Sequence, residues 1–163
     1  MYQEIAAYAT VAVLLVNAYY ILKFRESVEI QRKSAQGSLI LSTISDFFYR
    51  EPHKTIIRKL EGGFTLRGPT ARVSDEDLDD HIGFLDTIGT LVRTGILDFE
   101  LAWASFSHYI ESAYESPEIA EYIRKLQESD PTLFEDFEWF YERTKPKSEA
   151  RREARLKGRK RSV

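Results

Sequence analysis

Six consecutive residues, Asp75-Glu76-Asp77-Leu78-Asp79-Asp80, place five carboxylates within two helical turns. Oxygen ligands at alternate positions are what a calcium loop presents. Asp75, Asp77 and Asp79 occupy the first, third and fifth places of such a loop, with Ile82 at the usual apolar eighth. The sixth place, where the sharp turn needs Gly, is Asp80, and the twelfth is Asp86 instead of the longer bidentate Glu. The run therefore reads as the start of a helix, whose macrodipole favours carboxylates in its first turn. Ser74-x-x-Asp77 ahead of it approximates a capping box.

The other chemistry-bearing residues are scattered. His53, His81 and His108 show no i,i+4 ligand pairing, and His81 beside Asp77 and His108 beside Glu111 read as ordinary surface hydrogen bonds. Residues 62–73, GGFTLRGPTARV, are rich in turn residues, but no frame leads into a helix with a positioned Lys, so the stretch reads as a connecting loop. Cysteine is absent, which excludes disulfides, thiolate metal sites and cysteine nucleophiles. No catalytic residue, cofactor or metal ligand is assigned. The rival reading is a ligand-sensing or enzymatic helical domain with its site inside the bundle.

Charge divides the chain. From residue 145 onward nine Lys or Arg stand against Glu149 and Glu153, a balance of +7, so the net charge of −3 leaves −10 for residues 1–144. The tail, KPKSEARREARLKGRKRSV, lacks aromatics and holds one Leu, which predicts a flexible basic segment. Arg151, Arg152, Arg155, Lys157, Arg159, Lys160 and Arg161 are its candidate contacts to anionic lipid or another polyanion, the acidic body included. Nucleic-acid binding through this tail is a second alternative. The body is no DNA reader: Thr94 through Ile123 contain no Lys or Arg to meet phosphates.

These residues must be carried by elements, and the first is the most distinctive. Ile5 to Leu22, IAAYATVAVLLVNAYYIL, holds no charged residue, Pro or Gly. Eighteen helical residues span about 27 Å, near the hydrocarbon thickness of a bilayer. The segment ahead, Met-Tyr-Gln-Glu, lacks the positive charge of a signal peptide, and a core helix of this length normally shows charge on its solvent face. The run is predicted to span a membrane, with Ile5, Val11, Leu14, Leu15, Asn17 and Leu22 among its residues. Lys23, Arg25, Arg32 and Lys33 follow it, which places the N-terminus outside and the body in the cytoplasm. Asn17 can hydrogen-bond a second copy or a partner helix, with Ala6 and Thr10 permitting close approach.

Residues 25–37 read as a juxtamembrane helix that Gly37 can interrupt. Leu39, Ile40, Ile44, Phe47 and Phe48 then recur at helical spacing, and after Pro52 so do Ile56, Ile57 and Leu60. Leu78, Ile82, Leu85, Ile88 and Val92 mark the next helix, closed by Gly95 as a left-handed cap. Asp98 caps a helix with the face Phe99, Ala102, Trp103, Phe106, Ile110 and Ala113. Ser116-Pro117 opens another, with Ile119, Tyr122, Ile123 and Leu126, and Asp130-Pro131 repeats that grammar for a last helix with Leu133, Phe134, Phe137 and Phe140. Nothing alternates like a strand. An all-α fold follows: residues 1–24 as anchor, 25–37 as linker, 38–144 as helical bundle and 145–163 as tail.

The layout of span, basic juxtamembrane helix and helical body, with FLDTIGTLVRTGILDFELAWASFSHYI at residues 84–110, resembles small membrane-anchored bacterial proteins catalogued only as a domain of unknown function. The resemblance implies the architecture and brings no activity. The expected partners are the bilayer and another protein, either a second copy or a membrane complex. Anionic lipid is a partner for the tail, and nucleic acid is not expected. Trp103, Tyr109 and Tyr114 along the aromatic helix, with Trp139 and Tyr141 off the main stripe of the last one, are candidate contact residues, or else the second layer of the core. The function expected is that of a non-catalytic interaction module: an accessory subunit, adaptor or regulator.

Overall fold

The computed structural model describes residues 2–67 and 73–160, and the side-chain surroundings of residues 14–67 and 73–157. All regular structure among them is helical: α1 (Tyr2–Tyr49), α2 (His53–Glu61), α3 (Asp75–Arg93), α4 (Phe99–Tyr114), α5 (Pro117–Gln127) and α6 (Glu135–Lys160). The chain divides into two compact units, Met1–Leu39 and Ile40–Val163.

The described residues of the first unit are all helical. Gly37 does not interrupt α1, contrary to expectation. One Gly costs a helix only about 1 kcal/mol relative to Ala, which helix-compatible neighbours on both sides outweigh. Leu14, Leu15, Val16, Tyr19, Tyr20, Ile21, Leu22 and Phe24 are each between 52% and 71% exposed. Lys23–Glu26 and Lys33–Glu29 pair along the helix surface just beyond them. Among the described residues no helix is long and apolar enough to cross a membrane. The side chains of Ile5, Ala6, Thr10 and Val11, the first half of the apolar run, lie outside the described residues.

In the second unit α6 packs chiefly on α3 and α4, α2 touches both of these, and α5 packs on α4. The predicted stripes become the core: Leu78, Ile82, Leu85, Ile88 and Val92 from α3, and Ala102, Phe106, Ile110 and Ala113 from α4. They join Ile40, Phe47, Ile56, Ile57, Ile119, Phe137 and Phe140, all buried. The local signals hold too. The Ser74 hydroxyl accepts from the Asp77 N–H at 3.1 Å and the Asp77 carboxylate accepts from the Ser74 N–H at 2.8 Å, closing the box. Gly95 takes φ 73°, and the turn it makes is sealed by Leu97 N–H donating to Leu91 O at 2.9 Å. Asp98 accepts from the Leu101 N–H at 3.1 Å. Ser116 precedes Pro117 as expected, but its side chain makes no cap.

The last helix departs from expectation at both ends. Asp130-Pro131 does not open it. Asp130 instead accepts from the Thr132 N–H at 3.0 Å in a turn, Phe134 sits at φ 61°, and α6 begins at Glu135. Its cap comes from another helix, because the Asp86 carboxylate of α3 accepts from the Phe137 N–H at 2.9 Å. At the far end the flexible tail is a correction. α6 continues through Pro146 to Lys160, with Thr144 fully buried and Ser148 nearly so. Ion pairs to α4 and the Lys147 ammonium over the Phe99 and Trp103 rings dock this part.

Candidate functional site

The residues that could do chemistry collect in two places in the second unit. The first is an aromatic box under Phe47. His53 and His81, distant in sequence, meet with their Nδ1 atoms 3.3 Å apart. Phe47 stacks on His81 (ring centroids 5.4 Å apart) and on Phe84 (4.8 Å), while Phe106 and Tyr109 meet its edge. His81 is therefore no surface residue. It is fully buried and its Nε2 finds no partner among the described residues. Burial, helped by the neighbouring His53, pushes its pKa down to about 3. Burial also lowers His53, against the opposing pull of Asp80, Asp46 and Glu51. Both rings are thus neutral near pH 7. A buried N–H without an acceptor is the costlier orphan, so His81 carries its proton on Nδ1 and donates to His53.

The second place is a groove of about 290 Å³ between α4 and α6, lined by Trp103, Ser107, His108, Glu111, Ser148, Arg151, Arg152 and Arg155. The α4 residues recur at helical spacing, as do those of α6, so each helix gives one wall. Trp103 Nε1 donates to Ser148 Oγ at 3.1 Å, and Arg151 lies 5.1 Å from the centre of the Trp103 ring. Lys147, on the same indole at 4.4 Å, also pairs with Glu100. Glu111 forms the floor. It is 5% exposed, and its Oε2 accepts from Arg152 at 2.7 Å while Oε1 has no partner among the described residues.

His108 also borders this groove. His108 is exposed with Nε2 3.8 Å from Glu61, not on Glu111. The carboxylates of 75–80 begin α3, and no group of three or more metal-ligating side chains occurs among the described residues. Tyr114 stacks on buried Tyr141 at 3.9 Å and donates to Glu138 at 2.9 Å. Burial, then Glu138, pushes the Tyr114 pKa up to about 12. Tyr109 packs edge-on to Phe48, and Trp139 is half-buried beneath Arg143. The aromatics proposed as contacts are thus engaged within the chain. Among the basic candidates, Lys157 pairs with Glu153, the side chains of Arg159 and Lys160 lie outside the described residues, and so does Arg161 altogether.

Sequence reasoning missed the histidine pair and the Glu111–Arg152 pair. His81 did carry a signal, three residues after Leu78 and four before Leu85 on the apolar stripe. Glu111 carried none, since its partner is 41 residues away. A helical bundle with a filled aromatic core and a cationic groove is the class that these features define. The chain belongs to the family described as Domain of unknown function (DUF4760), which matches residues 5–144. No curated protein and no solved structure matches it.

Proposed function

We propose that this protein is a single-pass, membrane-anchored helical interaction module, non-catalytic, that serves as an accessory subunit, adaptor or regulator of a membrane complex. One observation carries the reading: apolar side chains exposed at consecutive positions Leu14–Val16 and Tyr19–Leu22, inside a run of eighteen residues without charge. Consecutive positions point all round a helix, so water would meet apolar surface on every side, which soluble proteins rarely tolerate in one continuous patch. Lipid satisfies such a surface, and so, less completely, does a partner helix. The family match covers residues 5–144, so the run lies within the matched extent of the domain. The filled core around His81 favours a binder over an enzyme with an internal polar site.

Alkaline carbonate treatment of membranes from cells expressing the full chain tests the anchor. Retention in the pellet, with release by detergent, is expected. Complete release by carbonate would remove it. Co-purification after mild detergent extraction tests the adaptor role, and a chain that emerges as a lone monomer there has no complex to serve.

A further inference from the structure

We infer that the groove between α4 and α6 binds a phosphate ester that carries a hydroxyl group close to the phosphate. The inference is independent of the anchor reading. Arg151, Arg152 and Arg155 face one opening against the single carboxylate of Glu111, an excess of positive charge that a phosphate group offsets. Their guanidiniums differ in availability. Arg152 is held by Glu111 and Arg151 by the Trp103 ring, whereas Arg155 has no ion-pair partner among the described residues. Arg forks match phosphate oxygens two at a time, and residues 151 and 155 lie one turn apart on the same face of α6.

Glu111 supplies the second half of the recognition. A buried carboxylate with one oxygen unpaired is costly, and an anion that draws Arg152 outward raises that cost further. A hydroxyl beside the phosphate gives Glu111 the donor it then lacks. Sulfate, a tetrahedral dianion with no proton to give, does not. The groove thus favours a hydroxylated phosphate over sulfate. Its volume of about 290 Å³ suits a glycerol phosphate or a small sugar phosphate, free in solution or as the headgroup of a phospholipid.

The test is calorimetric titration of the full chain in uncharged detergent micelles. The probes are sn-glycerol 3-phosphate, sulfate, and mixed micelles containing phosphatidylglycerol. Saturable binding of glycerol 3-phosphate assigns the free ligand. Binding seen only with phosphatidylglycerol assigns the headgroup. Either is expected to weaken roughly ten- to hundredfold in Arg155→Ala, and less in Arg155→Lys, with helicity by circular dichroism unchanged. Glu111→Gln, whose amide still accepts from Arg152, is expected to lose the preference for glycerol 3-phosphate over sulfate. Three outcomes overturn the inference: no saturable binding of any probe, binding unchanged in Arg155→Ala, or a discrimination that survives in Glu111→Gln.

Discussion

Burial without a counter-charge makes His81 the residue whose titration the fold resists most. Its folded pKa of about 3 lies below the ordinary histidine value near 6.5, so the unfolded chain takes the extra proton first. The stability this gives is complete above about pH 6.5 and is lost as pH falls toward 3, by up to about 1.4 kcal/mol per pH unit. Urea unfolding at a series of pH values should therefore show wild type weakening from pH 6.5 to 5 more steeply than His81→Phe, which keeps the ring packing on Phe47 and removes the proton site. Asp86, raised by burial, titrates in both proteins, so the difference between the two curves reports the His81–His53 pair. Parallel curves would mean that folding does not lower the pKa of His81. Arg152→Ala tests the other buried polar group. It strips the partner from a Glu111 side chain 6% exposed, but the Arg152 side chain is 66% exposed, so the loss should be about 1–2 kcal/mol, below that of a fully buried pair. Chemical denaturation of the variant gives the figure directly.

At the scale of the element, the joint between α3 and α6 decides where the last helix begins. Thr90 donates to Asp136 at 2.6 Å and Arg93 pairs with Asp136 at 2.6 Å and Glu135 at 3.1 Å, while Asp86 caps the Phe137 N–H. Gly89 lets the two backbones approach: a Cβ there would lie 2.2 Å from the Asp136 carbonyl oxygen. That neighbour is backbone and cannot rotate away. Gly89→Ala should accordingly cost about 1–3 kcal/mol despite the better helix propensity of Ala, measured as a fall in urea midpoint at constant slope. A neutral or stabilising result would show that the helices have room to part. The same joint explains what the sequence disclosed and what it withheld. The α3 stripe, its capping box and the Gly95 turn are each written within a few residues, where local geometry decides them. The start of α6 is not, because Asp86 lies 51 residues from the N–H it caps, and Asp130-Pro131 offers a plausible local start that tertiary packing overrides. His81 stood in the stripe in plain view, but residue type argued for the surface and burial followed position.

For the whole molecule, the division into an acidic body and a basic tail turns out to be partly an internal pairing. Lys145 meets Glu115, Lys147 meets Glu100 and Arg152 meets Glu111, so the positive charge of α6 is directed at the negative face of α4. Removal of residues 145–163 should therefore lower the melting temperature by several degrees, on the order of 1–2 kcal/mol for a chain of this size. A freely solvated tail would leave it unchanged, which differential scanning calorimetry would reveal. The sidedness of the chain is a separate matter and rests on charge alone. If the apolar run spans a membrane as proposed, Lys23, Arg25, Arg32 and Lys33 just after it favour the bundle on the cytoplasmic side. The absence of Cys makes this directly measurable, because any thiol introduced is the sole target of a membrane-impermeant maleimide. Tyr2→Cys should label in intact cells, and Glu128→Cys, in the loop after α5, only after the membrane is opened. The reverse pattern would place the bundle, its cationic groove and whatever that groove holds on the outer side, where the ligand would have to be an extracellular phosphate.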